Sequence, residues 1–348
     1  MAETKRIVVN GKLLDHAMNG IPRYVCEVLK ALDRIGSDRY RITVIMPEGH
    51  DWAWHPANLE MVKLPPCAGW DLRQAERYAR ECGALYVQMA NRGAVYRNSV
   101  CVVHDVRPLT EKPGLSGKKW KNSLKYRMGF DLAIRNSREI VAVSCFTRDE
   151  ILRLRPRFQK PVTIIGNGWE HLREIREDDR VFAEFPGLRK GKYILAVSSI
   201  APHKNFRWIV ENAKYNPELQ YVIVGKTDTR LWSEDTGVFR DHVVYLDYRS
   251  DEQLISLYRN AGGLVFPSRY EGFGIPPLEA MSFGLKVWVS DIPVMHEIFG
   301  DTVRYIHPDR PEVRLQDLPE PAGRADQVLE KYRWAAAGQA WHDLFCRL

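Results

Sequence analysis

A short strand, a glycine turn and a helix follow one another between residues 263 and 284. Gly263–Phe266 is an apolar run that ends at Pro267, a pattern that is typical of a short buried strand. The two prolines after the glycine turn suit the first turn of a helix, where backbone N–H groups lack partners anyway. Gly284 suits the end of that helix. The stretch therefore predicts one strand and its following helix in an α/β fold.

The same alternation of apolar strands and helical patterns runs along the whole chain. Strands joined by helices lie parallel in a sheet, and 348 residues suffice for two domains. A charged stretch interrupted by Pro186 and Gly187 separates the two halves. We therefore predict two Rossmann-like domains with parallel sheets facing a cleft. The predicted segments are an N-terminal domain at 1–170, a linker at 171–192, a C-terminal domain at 193–325 and a terminal helix at 326–348.

The glycine turn is also a candidate phosphate site. The N–H groups of Gly272, Phe273 and Gly274 point out of a positive helix end, which suits an anion. Glu271 and Glu279 flank this turn, and carboxylates accept hydrogen bonds from hydroxyls. A nucleotide sugar carries both phosphates and sugar hydroxyls, so the arrangement favours this ligand. The alternative is an ordinary surface turn with solvated glutamates.

The turn Glu-Gly-Phe-Gly, with Glu271 and Glu279 eight positions apart, resembles the signature of the retaining glycosyltransferases of group 1, family 4, whose fold is called GT-B. The resemblance covers almost the whole chain and is sharpest between residues 193 and 308. It implies that the N-terminal domain takes the acceptor, that the C-terminal domain takes the nucleotide sugar, and that the terminal helix crosses back to the N-terminal domain. It assigns Glu271, with the backbone of Phe273 and Gly274, to the sugar and Glu279 to the ribose hydroxyls.

A second glycine turn opens a helix near the N-terminus. Gly20 comes after a strand at residues 6–10, and apolar residues at helical spacing begin at Ile21. The turn is not G-x-G-x-x-G, so an NAD or FAD site has no support. The resemblance implies that Gly20 lets this domain approach the donor diphosphate closely.

His104 follows the apolar strand Val100–Val103. Ligands of open α/β sheets bind at the carboxyl ends of strands, so His104 lies where a site is expected, although a lone histidine is more often structural. The resemblance includes a His-Asp pair at this point and implies that the histidine faces the transferred sugar.

Lys204 lies between the strand at residues 193–197 and the next helix, where a lysine can contact a phosphate. A plain surface lysine is the alternative. The resemblance implies that Lys204 holds the donor diphosphate. The sequence departs from the family at His203, where arginine is usual, and at Ser198, where glycine is common. We expect the loss of a fixed cation to weaken diphosphate binding or to make it depend on pH.

The stretch from Lys112 to Phe130 is basic and contains no acidic residue. Leu115, Trp120 and Leu124 are among the apolar residues interleaved with its lysines, which favours contact with an anionic membrane surface. A solvated helix face and a nucleic-acid patch are the alternatives, and the net charge of +7 suits any acidic partner. The residues predicted to contact a membrane or acceptor are Lys118, Lys119, Trp120, Lys121 and Lys125.

Other sequence features limit which cellular compartment and which cofactors this chain can have. The six cysteines are scattered without a C-x-x-C pair, which is typical of a cytosolic chain and implies no zinc site. No apolar run approaches the roughly 20 residues of a membrane helix, and the N-terminus lacks a signal-peptide pattern. No D-x-D pair is present, so we expect no metal and no cofactor besides the donor. We predict a cytoplasmic protein, peripheral on the inner face of the plasma membrane.

These residues together predict a retaining, metal-independent hexosyltransferase. The donor is a GDP- or UDP-linked sugar, and the acceptor is a sugar hydroxyl on a glycan or lipid-linked glycan. From the family we take mannose as the sugar and a bacterial polysaccharide or lipopolysaccharide as the product. Two alternatives remain open: an epimerase or phosphorylase of the same fold, and a non-enzymatic protein whose basic segment binds membrane or nucleic acid. We regard nucleic acid as the less favoured partner.

Overall fold

The computed structural model describes residues 4–16, 18–110, 118–199, 201–225 and 242–348, and for residues 118–122 it describes the backbone alone. The chain divides into two compact units. Unit 1 comprises Met1–Asn167 and Trp334–Leu348, and unit 2 comprises Gly168–Arg333. Each unit is built around one parallel sheet.

In the described residues, the sheet of unit 1 has seven strands, all parallel, in the order β3-β2-β1-β4-β5-β6-β7. Ile7 lies in register between Ile42 and Leu85 at its centre. The strands are Lys5–Asn10 (β1), Tyr40–Pro47 (β2), Glu60–Leu64 (β3), Leu85–Gln88 (β4), Ser99–Val103 (β5), Glu139–Ala142 (β6) and Val162–Ile164 (β7).

Unit 2 has a second sheet, in which the described strands number six and are again all parallel, in the order β10-β9-β8-β11-β12-β13. Leu195 lies in register between Val222 and Leu264. The strands are Tyr193–Val197 (β8), Gln220–Val224 (β9), Val243–Leu246 (β10), Gly263–Phe266 (β11), Lys286–Ser290 (β12) and Arg304–Ile306 (β13).

Helices lie in most of the described connections between successive strands, although β2–β3 and β4–β5 are joined without an α-helix. Interior strands such as β5 and β9 are buried along their whole length, as is typical of parallel sheets covered on both faces. The α-helices are Gly20–Ile35 (α1), Glu76–Glu81 (α2), Arg107–Thr110 (α3), Lys118–Asn136 (α4), Cys145–Leu154 (α5), Arg180–Glu184 (α6), Phe206–Asn212 (α7), Asp251–Arg259 (α8), Ile275–Ser282 (α9), Pro293–Phe299 (α10), Ala325–Lys331 (α11) and Trp334–Arg347 (α12).

The tail that the sequence pattern assigns to one helix contains two. α11 belongs to unit 2, where Leu329 accepts a hydrogen bond from the indole of Trp169 through its carbonyl oxygen. α12 belongs to unit 1, where the indole of Trp341 donates to the hydroxyl of Tyr24 and Gly338 packs against Ala31 of α1. The break lies between them because the apolar residues on either side pack into different cores.

The two sheets share one strand order. Numbered within each unit, the first six strands run 3-2-1-4-5-6, and unit 1 adds a seventh. In unit 1, the chain adds β2 and β3 on one side of β1 and then adds β4 to β7 on the other side, so the strand order reverses between β1 and β4. In unit 2, it reverses in the same way between β8 and β11. In open α/β sheets, ligands bind outside the carboxyl ends of the strands at such a reversal. The parallel, Rossmann-like architecture predicted from the sequence is confirmed for both units.

Candidate functional site

The reversal in unit 2 brings together the segments that follow β8 and β11. After β8, a turn at Pro202–Lys204 leads into Asn205. The Asn205 side chain donates hydrogen bonds to the carbonyl oxygens of Pro267, 3.0 Å away, and Pro308, 2.7 Å away. The carbonyl of His203 accepts a hydrogen bond from the N–H of Arg269 at 2.8 Å. These contacts fix the Lys204 turn against the segment that follows β11.

Asn205 is the sole non-glycine residue with positive φ, at 58°, within the described part of the chain. Asparagine is one of the few residues that adopt this left-handed conformation readily. Sequence analysis did not single out this residue. The sequence feature that could have indicated this conformation is the residue type, an asparagine directly before a helix.

Lys204 and Glu271 form an ion pair in this place, with 2.6 Å between lysine Nζ and glutamate Oε1. Their side chains are 16% and 12% exposed, so both groups are largely shielded from water. The ammonium also lies 5.6 Å from the centre of the Phe266 ring. An ammonium has three N–H donors and a carboxylate oxygen accepts more than one hydrogen bond. The pair can therefore stay intact while Lys204 binds a phosphate and Glu271 binds hydroxyls.

The glycine turn precedes α9 as the sequence predicted. Gly274 has φ 119°, and a Cβ there would lie 3.1 Å from Cε of Met295, so both conformation and space favour glycine. Among the described residues, neither the N–H of Phe273 nor that of Gly274 donates a hydrogen bond. The two groups lie at the positive end of α9, where an anion would satisfy them.

Glu279 lies on α9 and is buried. Its Oε1 is 3.0 Å from Nε2 of His171, and its Oε2 accepts a hydrogen bond from the hydroxyl of Tyr258 at 2.7 Å. Burial and then the neighbouring Glu279 charge raise the pKa of Tyr258 well above its usual value, so this hydroxyl remains a donor. His171 and Tyr258 are not among the site residues predicted from the sequence, because 108 and 21 positions separate them from Glu279.

His104 lies in unit 1, directly after β5. Its backbone N–H donates to the side-chain oxygen of Asn91, and its Nε2 is 2.8 Å from the carbonyl oxygen of Met89, which follows β4. The Tyr24 ring contacts it edge-on, with 4.9 Å between centroids. Burial lowers the pKa of His104 to about 4. The imidazole is therefore neutral at pH 7, with the proton on Nε2 and an acceptor at Nδ1.

Gly20 is exposed at the first residue of α1. No described atom lies within 4 Å of the position of an added Cβ, so packing within unit 1 does not explain the glycine. Its predicted role in admitting a diphosphate stays a prediction.

A comparison with protein families identifies the segment around this site. Residues 178–314 match the family described as glycosyl transferases group 1. The match covers less than half of the chain, so it shows a similarity of this segment to the family. The matched region contains Lys204, Glu271 and Glu279, and it ends before α11.

Two relatives are named as O-antigen chain mannosyltransferases. The O-antigen chain mannosyltransferase RfbU of Salmonella typhimurium is 29% identical over 68% of this chain and 66% of the relative. The O-antigen chain mannosyltransferase B of Escherichia coli is 33% identical over 47% of this chain and 45% of the relative. The alignments thus cover less than two thirds of each relative.

Solved structures match the fold of this chain over nearly all of its residues. Sucrose-phosphate synthase from Thermosynechococcus elongatus matches 99% of this chain and 98% of its own, with a TM-score of 0.73 and 15% identity. Anabaena Alr3699/HepE, in complex with UDP and glucose, matches 99% of this chain and 100% of its own, with a TM-score of 0.71 and 15% identity. They confirm the predicted GT-B fold class.

The basic segment of the chain falls partly outside the described residues. α4 begins at Lys118, but the side chains of Lys118, Lys119, Trp120 and Lys121 are not described, and neither is the stretch 111–117. Lys125 is exposed, and Leu124 and Met128 beside it are large apolar side chains with 42% and 59% exposure.

Two features of the described residues concern metal ions and membrane-spanning helices. No group of three or more histidine, cysteine, aspartate or glutamate side chains is arranged there to hold a metal ion. None of the helices in the described ranges has the length and apolar character needed to span a membrane.

Proposed function

We propose that this chain transfers a hexose from a nucleoside diphosphate sugar to a hydroxyl group of a glycan acceptor. The observation that carries the proposal is the Lys204–Glu271 pair at the strand reversal of unit 2, beside the N–H groups of Phe273 and Gly274. An ammonium and helix-end N–H groups suit a diphosphate, and a carboxylate suits sugar hydroxyls.

In the reaction, the bond between the anomeric carbon and the diphosphate oxygen breaks, and the acceptor oxygen bonds to that carbon as its proton passes to the departing diphosphate. Negative charge then grows on the departing diphosphate. Lys204 and the N–H groups of Phe273 and Gly274 are placed to stabilise it. Removing one donor of this kind typically costs about 3–4 kcal/mol of transition-state stabilisation. The roles of Glu271 and Glu279 are to hold the sugar and the ribose.

His104 and Gly20 of unit 1 complete the assignment. Nδ1 of the neutral His104 accepts a hydrogen bond from a hydroxyl of the transferred sugar, since its Nε2 proton is directed to Met89. Gly20 leaves room for the diphosphate. We further propose that the anomeric configuration is retained, as in family 4, and that the reaction needs no metal or cofactor beyond the donor.

The names of the relatives support mannose as the sugar and O-antigen as the kind of product. We propose GDP-mannose as the donor, with a UDP-linked hexose as the alternative, because HepE binds UDP in the same fold. The acceptor is then a lipid-linked or polysaccharide glycan, and the reaction takes place in the cytoplasm.

A transfer assay tests this function. Labelled GDP-mannose and UDP-glucose are offered with and without lipid-linked O-antigen oligosaccharide, and the anomeric configuration of the product is read by NMR. We expect acceptor-dependent transfer by the wild type and a loss of about 100- to 1000-fold for Glu271→Gln. The exposed Glu312 provides a matched control, Glu312→Gln, which should keep full activity. Conversion of the donor without acceptor would contradict the proposal and favour an epimerase.

We propose an anionic membrane surface as a further partner, through the exposed Leu124, Lys125 and Met128 of α4. Exposed apolar side chains beside lysines are typical of interfacial helices. Sedimentation with phosphatidylglycerol vesicles tests it: binding should weaken for Leu124→Glu and at high salt. Equal binding by wild type and variant would contradict this partner.

A further inference from the structure

The carboxylate of Glu279 is held at both oxygens by residues outside its own helix. We propose that His171 and Tyr258 are positioning residues, which orient Glu279 toward the ribose and thereby make the site prefer ribonucleotides to 2′-deoxyribonucleotides. The inference rests on the proposed function, in which Glu279 holds the ribose hydroxyls.

The geometry assigns one donor to each oxygen. His171 Nε2 lies 3.0 Å from Oε1, and the Tyr258 hydroxyl lies 2.7 Å from Oε2. The two donors come from different elements of the fold. His171 belongs to a short turn at Glu170–Leu172, which follows β7 in the chain, and Tyr258 is on α8. Contacts from two elements fix the carboxylate more firmly than contacts from one.

The network is shielded from solvent. The side chains of His171 and Glu279 are 1% and 8% exposed, and Tyr258 is fully buried. The Tyr258 ring also stacks on Phe283, with 5.3 Å between centroids and 9° between planes. The donors therefore have little freedom to leave the carboxylate.

A fixed carboxylate plane matters for a diol. The terminal torsion of a glutamate is broad when nothing holds it, and each oxygen of an ionised carboxylate accepts more than one hydrogen bond. With its plane fixed by the two protein donors, Glu279 presents acceptors in one direction. Adjacent 2′- and 3′-hydroxyls can then bind together, whereas a 2′-deoxyribose offers one hydroxyl fewer.

A purely structural role makes a different prediction. If His171 and Tyr258 serve packing alone, their loss lowers the stability of unit 2 and weakens all nucleotides alike. If they orient Glu279, their loss changes the ratio of ribonucleotide to deoxyribonucleotide affinity. This ratio is the readout that separates the two.

The experiment is calorimetric titration of the chain with GDP, 2′-deoxy-GDP, UDP and 2′-deoxy-UDP. For the wild type we expect the better ribonucleotide to bind about 10- to 100-fold more tightly than its deoxy form. Tyr258→Phe keeps the ring that stacks on Phe283 and removes the donor, and His171→Leu removes the other. Each should lower the ratio by about fivefold or more.

Two variants serve as controls. His171→Gln keeps an N–H donor and should restore most of the ratio. Tyr193→Phe removes another buried hydroxyl of unit 2, which donates to the carbonyl of Leu257 at 2.6 Å, and should leave the ratio unchanged. If His171→Leu does not fold, Tyr258→Phe decides alone.

The failures are distinguishable. A wild type that prefers the ribonucleotide, with variants that keep the same ratio, would overturn the inference and leave the proposed function intact. Equal wild-type affinity for both forms would overturn the inference together with the ribose role of Glu279. No binding of any of the four nucleotides would overturn the proposed function, and the inference with it.

Discussion

The positive charge of Lys204 is held in place before any ligand arrives. Its partner Glu271 lies 2.6 Å away in a shielded position, where a hydrogen bond between charged groups is stronger than at the surface. A flexible lysine side chain would otherwise lose rotamer freedom on binding a phosphate. In the proposed site, the pair therefore holds the ammonium ready for the diphosphate.

Lys204→Ala should weaken nucleoside diphosphates selectively. A hydrogen bond to a charged group contributes about 1.5–3 kcal/mol, which corresponds to a loss of roughly 10- to 150-fold in affinity. Calorimetric titration with GDP and with guanosine measures the effect, and guanosine, which lacks phosphates, should bind as before. Lys214→Ala, at an exposed lysine of the same unit, is the control. An equal loss for GDP and guanosine would contradict the assignment.

The depressed pKa of His104, about 4 against an ordinary value of 6.5, makes stability depend on pH. Between these two values the unfolded state binds more protons than the folded state, so stability should rise with pH from 4 to 6.5 and then level off. The full effect is up to about 3 kcal/mol. Thermal unfolding of wild type and His104→Gln across this range measures it, and the variant should lose this part of the slope. Parallel curves would contradict the pKa shift.

Local motifs explain how much of the site could be predicted. Glu271, Glu279 and the glycine turn lie within one stretch of sequence, and Lys204 and His104 each directly follow a predicted strand or turn. The pairing of Lys204 with Glu271 was not predicted, since 67 positions separate them. His171 and Tyr258 carry no local signal at all, because their meaning comes from a tertiary contact with Glu279.

At the scale of elements, one side chain connects three loops at the carboxyl edge of the unit 2 sheet. Asn205 follows the turn after β8, and its amide binds the carbonyls of Pro267 after β11 and Pro308 after β13. Asn205 is also the N-cap residue of α7, and its backbone φ is 58°. The position of Lys204 thus depends on three strands of the sheet.

Substitutions of Asn205 separate its two contributions. Asn205→Gly keeps the left-handed backbone and loses both hydrogen bonds, which should cost about 1–3 kcal/mol since one partner is buried. Asn205→Ala adds the left-handed strain and should cost about 1–2 kcal/mol more. Urea unfolding of unit 2, followed by amide exchange in α7, compares the two. An alanine variant as stable as the glycine variant would show that the backbone conformation is not strained.

The strands and helices could be predicted well from the spacing of apolar residues, because this spacing depends only on residues that are close together in the sequence. The parallel sheets could be predicted because long connections, most of them helical, separate successive strands, and parallel pairing needs such crossovers. The break between α11 and α12 was not predictable, since neither glycine nor proline marks it. It follows from the separate packing of Trp341 in unit 1 and Leu329 in unit 2.

At the scale of the whole molecule, two units with the same strand order carry different chemistry at the carboxyl edge of their sheets. Unit 2 presents an ion pair, helix-end N–H groups at Phe273 and Gly274 that donate to no described residue, and a buried carboxylate, which are groups that suit a nucleotide. Unit 1 presents the neutral His104, which suits an uncharged sugar. The difference supports the proposal that unit 2 binds the nucleotide.

Hydrogen–deuterium exchange with GDP and with UDP tests this assignment most directly. Bound ligand stabilises the state that binds it, by about 2.7 kcal/mol at 100 times the dissociation constant, and slows exchange where it makes contact. We predict that one nucleotide protects the segments 201–206 and 267–282 in the wild type and protects them less in Lys204→Ala. Protection confined to other segments, or none with either nucleotide at millimolar concentration, would contradict the account.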